Sequence, residues 1–410
     1  MATATRALSG ENETFSRAKS WPHDAVLGLL PLLLGFQILL ATVYVPLALR
    51  GLADFRQLYT GGYMVRVGHA HELYDYATQQ GYEEELVPVG AHFLLPINHL
   101  AYEELLFVPL SLFSYRTAYW LFMVFNGALL VGSVMLLRTH VRPLSERWAW
   151  LPALLIAAFY PISRALMQGQ DSIITLMLLI ASLSALNRKK EFLAGLLVGL
   201  SVYKFQIAVP IAVLFALWRC WRFVIGFSLS SAAAALVSLW LVGISGAKEY
   251  VSMLLSMSVR LTSQVDMLRY CTNPKEMINL RGLFSGVLNG TLPHNVVQVL
   301  VAVFSIVVLL IAARKPPSLP LAIAAASLVS YHLIVHDASI LIIVVAAALC
   351  SRSICSGGFA LLLFIAPLSA VIPVYGYLAT VPLLGLFLLM LWGDASLISE
   401  SQKPGLEHAC

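Results

Sequence analysis

Apolar runs of membrane-spanning length recur along almost the whole chain, and short polar or aromatic breaks separate them. Ala25–Leu49 reads as a first span and Thr117–Leu137 as a second. Between them, residues 50–115 form a polar, aromatic-rich segment in which Asp54–Gly68, Glu72–Glu85 and Tyr102–Leu112 have the pattern of short amphipathic helices lying along an interface. Trp148–Ile162, Ser172–Leu186, Phe192–Val202, Ile207–Trp218 and Phe223–Ile244 continue the series, and a second polar segment covers residues 245–295. Val296–Ala313, Leu319–Val335, Ala338–Leu349, Gly357–Ile372 and Gly376–Trp392 follow, so the pattern predicts an all-α polytopic membrane protein of about twelve spans. Several runs fall short of the ~20 residues that a straight crossing needs, above all between residues 150 and 220. The expected organisation is a single integral membrane domain over residues 1–410, with tails at 1–24 and 393–410.

Composition agrees with that pattern. Of 410 residues 59% are hydrophobic and 11% charged, with a mean hydropathy of +0.82. The net charge of +5 would in a soluble protein raise the question of nucleic acid. Here the cations follow the spans instead, and no nucleic-acid partner is expected. With the N-terminus inside, the short inner connections hold Arg138, Arg142, Arg147, Arg188, Lys189, Lys190, Arg219, Arg222, Arg314, Lys315 and Arg352, whereas the short outer ones hold Arg164 and Lys204. This asymmetry follows the positive-inside rule and puts both long polar segments on the outer face of a cell (inner) membrane, towards the periplasm or exterior. Both tails then face the cytoplasm. Residues 1–22 are polar and the apolar run after Asp24 is long, which reads as a retained first helix rather than a short signal segment. The five cysteines form neither a CxxC pair nor a metal spacing.

The same topology gathers the unusual polar residues on one side. Asp54, Arg56, Arg164, Gln168, Gln170, Asp171, Lys204, Gln206, Arg281, His332, His336 and Asp337 all map to outer ends of spans or to outer segments. Ionisable groups at that depth are costly and normally face a protein cavity with partners, so several such segments at one level point to an outward-facing amphipathic pocket. Each has a plainer reading beside it. Asp54 can pair with Arg56 or Arg66, Asp171 can cap the helix that Ser172 opens, and Lys204 can snorkel to the surface. His332 and His336 stand four residues apart on one helical face, but no clear third ligand accompanies them and no metal or other cofactor is expected. Arg281 can be an ordinary loop contact.

Taken in order, these residues resemble the polyprenyl-phosphate-dependent mannosyltransferase family (glycosyltransferase family 87, of the GT-C superfamily). The matching elements are Ala53-Asp54-Phe55 through Tyr59, Leu73-Tyr74-Asp75, Pro109-Leu110 followed by Asn126, Gln168-Gly169-Gln170, and Ala194-Gly195-Leu196 leading to Tyr203-Lys204-Phe205-Gln206. Asn279-Leu280-Arg281-Gly282 and His336-Asp337 complete the set, which covers roughly residues 30–350. Two places depart from the family pattern: Lys204-Phe205-Gln206 stands for a Lys-Pro-Gln, and Leu94-Leu95-Pro96-Ile97-Asn98 for a Tyr-Pro-Pro. The resemblance implies a GT-C-like helical bundle that moves a sugar, mannose first, from a lipid-linked sugar-phosphate donor to a glycolipid or glycan acceptor with inversion. It puts the catalytic base on Asp54 and makes Lys204, Arg281, Gln168, Gln170, His332, His336, Asp337 and Arg164 the candidates for donor phosphate and sugar. The competing class is a secondary transporter, or a lipid- or glycan-handling membrane protein without transferase activity, since transporters also carry polar breaks inside helices. Their sites lie near the midplane between repeats, and no repeat is visible in this sequence.

Overall fold

The computed structural model describes residues 28–87, 95–256, 273–288, 290–351 and 353–392, and among them there are helices and turns but no strands. Both tails, Leu94, Arg352 and Arg260, a further cation that the family resemblance offers for the donor phosphate, fall outside these ranges. In chain order the α-helices are α1 Gly28–Leu49, α2 Phe55–Arg66, α3 Tyr76–Leu86, α4 Tyr115–Arg138, α5 Arg142–Arg147, α6 Leu151–Ala158, α7 Tyr160–Gln168, α8 Ser172–Asn187 and α9 Glu191–Gly199. They continue with α10 Phe205–Leu217, α11 Trp221–Ser256, α12 Leu280–Leu288, α13 His294–Ala313, α14 Leu319–Val329, α15 Leu341–Leu349, α16 Ile354–Ile365 and α17 Thr380–Leu391.

The all-α polytopic class is therefore observed. Among the described residues five helices are long and apolar enough to cross a membrane, or up to seven if each of two bent pairs is one span. The sequence pattern gave about twelve because it counted every apolar run. Four of those runs are helices of only 10–17 residues, and α9 and α10 belong to one pair bent by 70°.

The chain forms two compact units. One consists of residues 1–37, 134–160 and 274–410, the other of residues 38–133 and 161–273. We refer to them as unit 1 and unit 2. The second polar segment, expected over 245–295, is divided between them. Its first part continues α11 past a break at Gly243, whose φ of 67° and ψ of −175° interrupt the helix.

Unit 2 is built around α2. Gly51, at φ +91°, ends α1: the Leu52 N–H bonds the Leu47 carbonyl at 3.0 Å, which closes the helix and frees the chain to turn. Phe55, one residue past Asp54, is fully buried and lies within 6.4 Å, centroid to centroid, of the rings of Tyr59, Phe107, Tyr115, Tyr119 and Phe122. An aromatic nest of this kind contributes area burial plus ring-edge attraction, and it fixes where α2 begins. Gly61 and Gly62 weaken the interior of α2 as a helix but let it approach its neighbours. A side chain at Gly61 would enter the Glu104 carboxyl, and one at Gly62 would come within 2.5 Å of the Phe107 backbone. The expected helix over Tyr102–Leu112 is instead two 3-10 turns, Ala101–Leu106 and Leu110–Leu112, separated at Pro109, which lacks the N–H a continuing helix would use.

In unit 1, Asn279 ties the start of α12 to the end of α14. Its amide donates to the Ser330 carbonyl at 2.9 Å, its side-chain oxygen accepts from the Gly282 N–H at 2.7 Å, and its own carbonyl accepts from the Thr380 hydroxyl at 3.2 Å. The polar Asn279–Gly282 motif is thus a structural lock.

Candidate active site

The site in unit 2 starts from how α7 ends. Gly169 takes φ +61°, with its N–H on the Leu166 carbonyl and the Gln170 N–H on the Ala165 carbonyl at 2.9 Å. This paired closure needs a left-handed residue, and a side chain at Gly169 would also meet the Phe55 Cβ at 2.7 Å. The turn is held from α4 as well: the Tyr119 hydroxyl donates to the Met167 carbonyl at 2.7 Å and the Asn126 amide to the Gln170 carbonyl at 3.3 Å. So fixed, Gln170 donates its side-chain Nε2 to Asp54 Oδ2 at 2.7 Å. Gln170 is buried and Asp54 half-buried.

The next residue turns the other way. Asp171 does not cap α8 with its side chain, which corrects the capping reading. Its carboxylate meets Lys204 Nζ at 2.8 Å through Oδ1 and His99 Nδ1 at 3.2 Å through Oδ2. His99 Nδ1 lies 2.7 Å from Glu103 Oε2 as well. The side chains of Asp171 and Lys204 are 0% and 2% exposed, so Lys204 does not snorkel; it is paired inside the protein. Burial explains the preference: an unpaired charge here would forfeit its hydration with nothing in return. Tyr203 completes the cluster, its hydroxyl reaching both the Thr175 hydroxyl at 2.8 Å and the Asp171 carbonyl at 3.3 Å.

Two acids of the polar segment carry protons readily. Burial, then the negative Asp171, pushes the Glu103 and Glu104 carboxyls well above their ordinary range. Glu83 is drawn up to about 7 by burial, which outweighs the Arg56 guanidinium 3.0 Å away.

His99, Glu103 and Asp171 offer one ligand atom each, all within 4.8 Å of one another. In this arrangement the Lys204 ammonium already supplies a cation to Asp171, and the His99 nitrogen faces both carboxylates at hydrogen-bonding distance. These residues together form a buried network of ion pairs.

The remaining candidates lie elsewhere. Gln168, at the end of α7, and Arg164 one turn before it are half-buried, and the Arg164 guanidinium stacks on the Tyr44 ring at 3.9 Å. Arg281 belongs to unit 1, with its guanidinium 4.1 Å over the Tyr331 ring and its Nη1 donating to the Tyr331 carbonyl at 3.3 Å. His332 and His336 do not share a helical face. α14 stops at Val329 because Ser330 turns extended (ψ 135°), and the stretch to the 3-10 turn Asp337–Ile340 is non-helical. His336 and Asp337 are buried, with Nε2 and Oδ1 3.8 Å apart, and His332 is half-buried. The residues that sequence reasoning missed are His99, Glu103, Glu104 and Glu83. The available signal was two consecutive acids, Glu103 and Glu104, inside a stretch otherwise rich in apolar residues.

Compared with known protein families, the chain matches the model of glycosyltransferase family 87 over residues 104–336, more than half its length. The chain belongs to glycosyltransferase family 87. It is therefore a membrane glycosyltransferase, with a sugar donor and an acceptor as its substrates, rather than a transporter. The match contains Arg164, Gln168, Gln170, Asp171, Lys204, Arg281, His332 and His336, while Asp54, His99 and Glu103 precede it and Asp337 follows it. No curated protein and no solved structure matches the chain.

Proposed function

We propose that this family 87 enzyme, a bundle of the GT-C type, transfers a sugar, mannose first, from a polyprenyl-phosphate-linked donor to a glycolipid or glycan acceptor at the outer face of the cell membrane. The configuration at the anomeric carbon is inverted, and Asp54 is the base. One observation carries the reading: Asp54 is a half-buried carboxylate oriented by the Gln170 amide at 2.7 Å, while Asp171, the next residue after Gln170, is fully buried against Lys204. A base must reach the acceptor hydroxyl and must be held in one orientation.

In this mechanism the acceptor hydroxyl gives its proton to the Asp54 carboxylate as its oxygen attacks the anomeric carbon. The bond from that carbon to the phosphate oxygen breaks, and polyprenyl phosphate leaves with the electron pair. The departing phosphate needs positive charge placed in advance. Lys204 supplies it within unit 2, held by Asp171 until the phosphate competes for it. Arg164 and Gln168, on the helix before the turn, are assigned to the donor's polar head. Arg281, His332, His336 and Asp337 keep their donor assignment from the family resemblance.

The test is transfer in membranes from a labelled polyprenyl-phosphate mannose. Asp54→Asn should lower turnover by about 10²–10⁴-fold while the protein still accumulates and melts like wild type. Turnover near the wild-type rate would end the assignment. For Lys204, the reading expects weaker donor affinity in Lys204→Ala, and an unchanged affinity would remove the phosphate contact.

A further inference from the structure

A second charged region of unit 2 plays no part in the reaction just described. Helices α9 and α11 pack in parallel with their starts together. A side chain at Gly226 would run into the Phe192 carbonyl, one at Gly195 into the Phe223 carbonyl, and one at Gly199 would come within 2.5 Å of the Phe227 carbonyl. The two turns that lead into these helices are therefore brought to the same end of the unit. The first carries Arg188, Lys189 and Lys190, the second Arg219, with Arg222 in the opening turn of α11.

All five side chains are exposed, and among the described residues none of them is paired with an acid. Trp221, 59% exposed, stands among them, as tryptophans do at a membrane–water boundary.

The two turns also share an unusual backbone choice. α8 closes with the Lys190 N–H on the Ala185 carbonyl and the Lys189 N–H on the Leu186 carbonyl. α10 closes in the same way, Cys220 to Phe215 and Arg219 to Ala216. The left-handed position of this closure is normally glycine. Here it is Lys189 at φ 58° and Arg219 at φ 62°, two conformations that a side chain makes costly. A cation occupies the same strained position in both turns although glycine would fit better.

We infer that the α8–α9 and α10–α11 turns form a binding surface for anionic phospholipid headgroups. Lys189, Arg219 and their three basic neighbours contact the lipid phosphates. The chemistry fits: clustered exposed cations beside an apolar helix bundle attract anionic headgroups, each lysine or arginine near such a surface strengthening binding roughly fivefold. The occupant is a fluid bilayer lipid, distinct from the polyprenyl-phosphate donor, and the inference does not rest on the proposed transfer.

The rival reason for a cation at a helix C-terminus is its attraction to the helix's own carbonyls. The two reasons give opposite signs in one experiment. The full-length protein is placed in nanodiscs of phosphatidylcholine alone, or of phosphatidylcholine with phosphatidylglycerol, and its unfolding temperature is followed for wild type and for the pair Lys189→Gly/Arg219→Gly. The inference expects the glycine pair to match or exceed wild type in phosphatidylcholine, by about 1–3 °C. It also expects phosphatidylglycerol to stabilise wild type and to do so much less for the variant. Spin-labelled phosphatidylglycerol should associate roughly 25-fold more weakly with the variant than with wild type, two cations having been lost, and high salt should erase the difference.

Loss of stability in phosphatidylcholine would assign the side chains to the helix ends and overturn the inference. An unchanged response to phosphatidylglycerol would overturn it as well. Should the glycine pair fail to accumulate, Arg188→Gln/Lys190→Gln/Arg222→Gln, which leaves both left-handed positions untouched, must show the same loss of lipid preference or the inference falls.

Discussion

Unit 2 handles charge in two opposite ways at the two ends of α9. Beyond its far end Lys204 is buried on Asp171, Asp171 meets His99 and His99 meets Glu103, so that these groups form one buried network. Before its first turn, Arg188, Lys189 and Lys190 point outwards with no acidic partner among the described residues. The physics behind the contrast is desolvation. A charge taken out of water must be repaid by near-ideal partners, which costs freedom and yields fixed geometry. A charge left in water retains its freedom and its long reach, limited by salt screening. The first arrangement suits a reaction that needs atoms in register; the second suits a partner with no fixed register, such as a lipid surface.

Substitutions should expose this asymmetry, and the largest effect belongs to the group beside the buried network. Asp54→Asn should lower kcat by about 10²–10⁴-fold, the range for removing a positioned base, in the membrane transfer assay. Second is Asp171→Ala, which strands the Lys204 ammonium and unties His99. A loss of about 3–5 kcal/mol is expected, read as a fall in unfolding temperature. If the protein tolerates this change as readily as a surface substitution, Asp171 is not the buried partner that holds Lys204 and His99 in place.

The third effect depends on pH. Folding raises the Glu83 carboxyl from its ordinary value near 4.5 to about 7. The folded state then holds more protons than the unfolded one between those values, so stability falls as pH rises through that window. Glu103 and Glu104, also raised, act in the same direction. Glu83→Gln should flatten the slope of unfolding temperature against pH between about 4.5 and about 7, and an unaltered slope would contradict the assignment. The smallest effect belongs to the open end. Arg188→Gln should change stability by less than about 0.5 kcal/mol in neutral lipid, since nothing is buried on that side chain.

Part of the candidate site was legible before any coordinates. Asp54 stands just past the first apolar run, and the Gln168-Gly169-Gln170 break is visible as polar residues between apolar runs. The Asp54–Gln170 contact, by contrast, joins residues 116 positions apart, and no periodicity reports that. His99 and Glu103 escaped notice because their segment is made of short 3-10 turns, which leave too few residues to display a repeating face. The misreading of His332 and His336 has the same origin. A spacing of four implies one face only if the helix continues, and α14 has already ended at Val329.

The sequence by itself determined the class of the protein, the places where polar residues interrupt the apolar runs and the ordered motifs of the family. Hydropathy is local and sums along the chain, so it survives without knowledge of the fold. Only the tertiary structure decided that Lys204 is buried and paired, that Asp171 turns away from its helix cap, and that Asp54 stays half-buried beside Gln170. Those outcomes depend on which side chains arrive within hydrogen-bonding reach once the helices have packed, a distance of about 3 Å that no property of a single segment encodes.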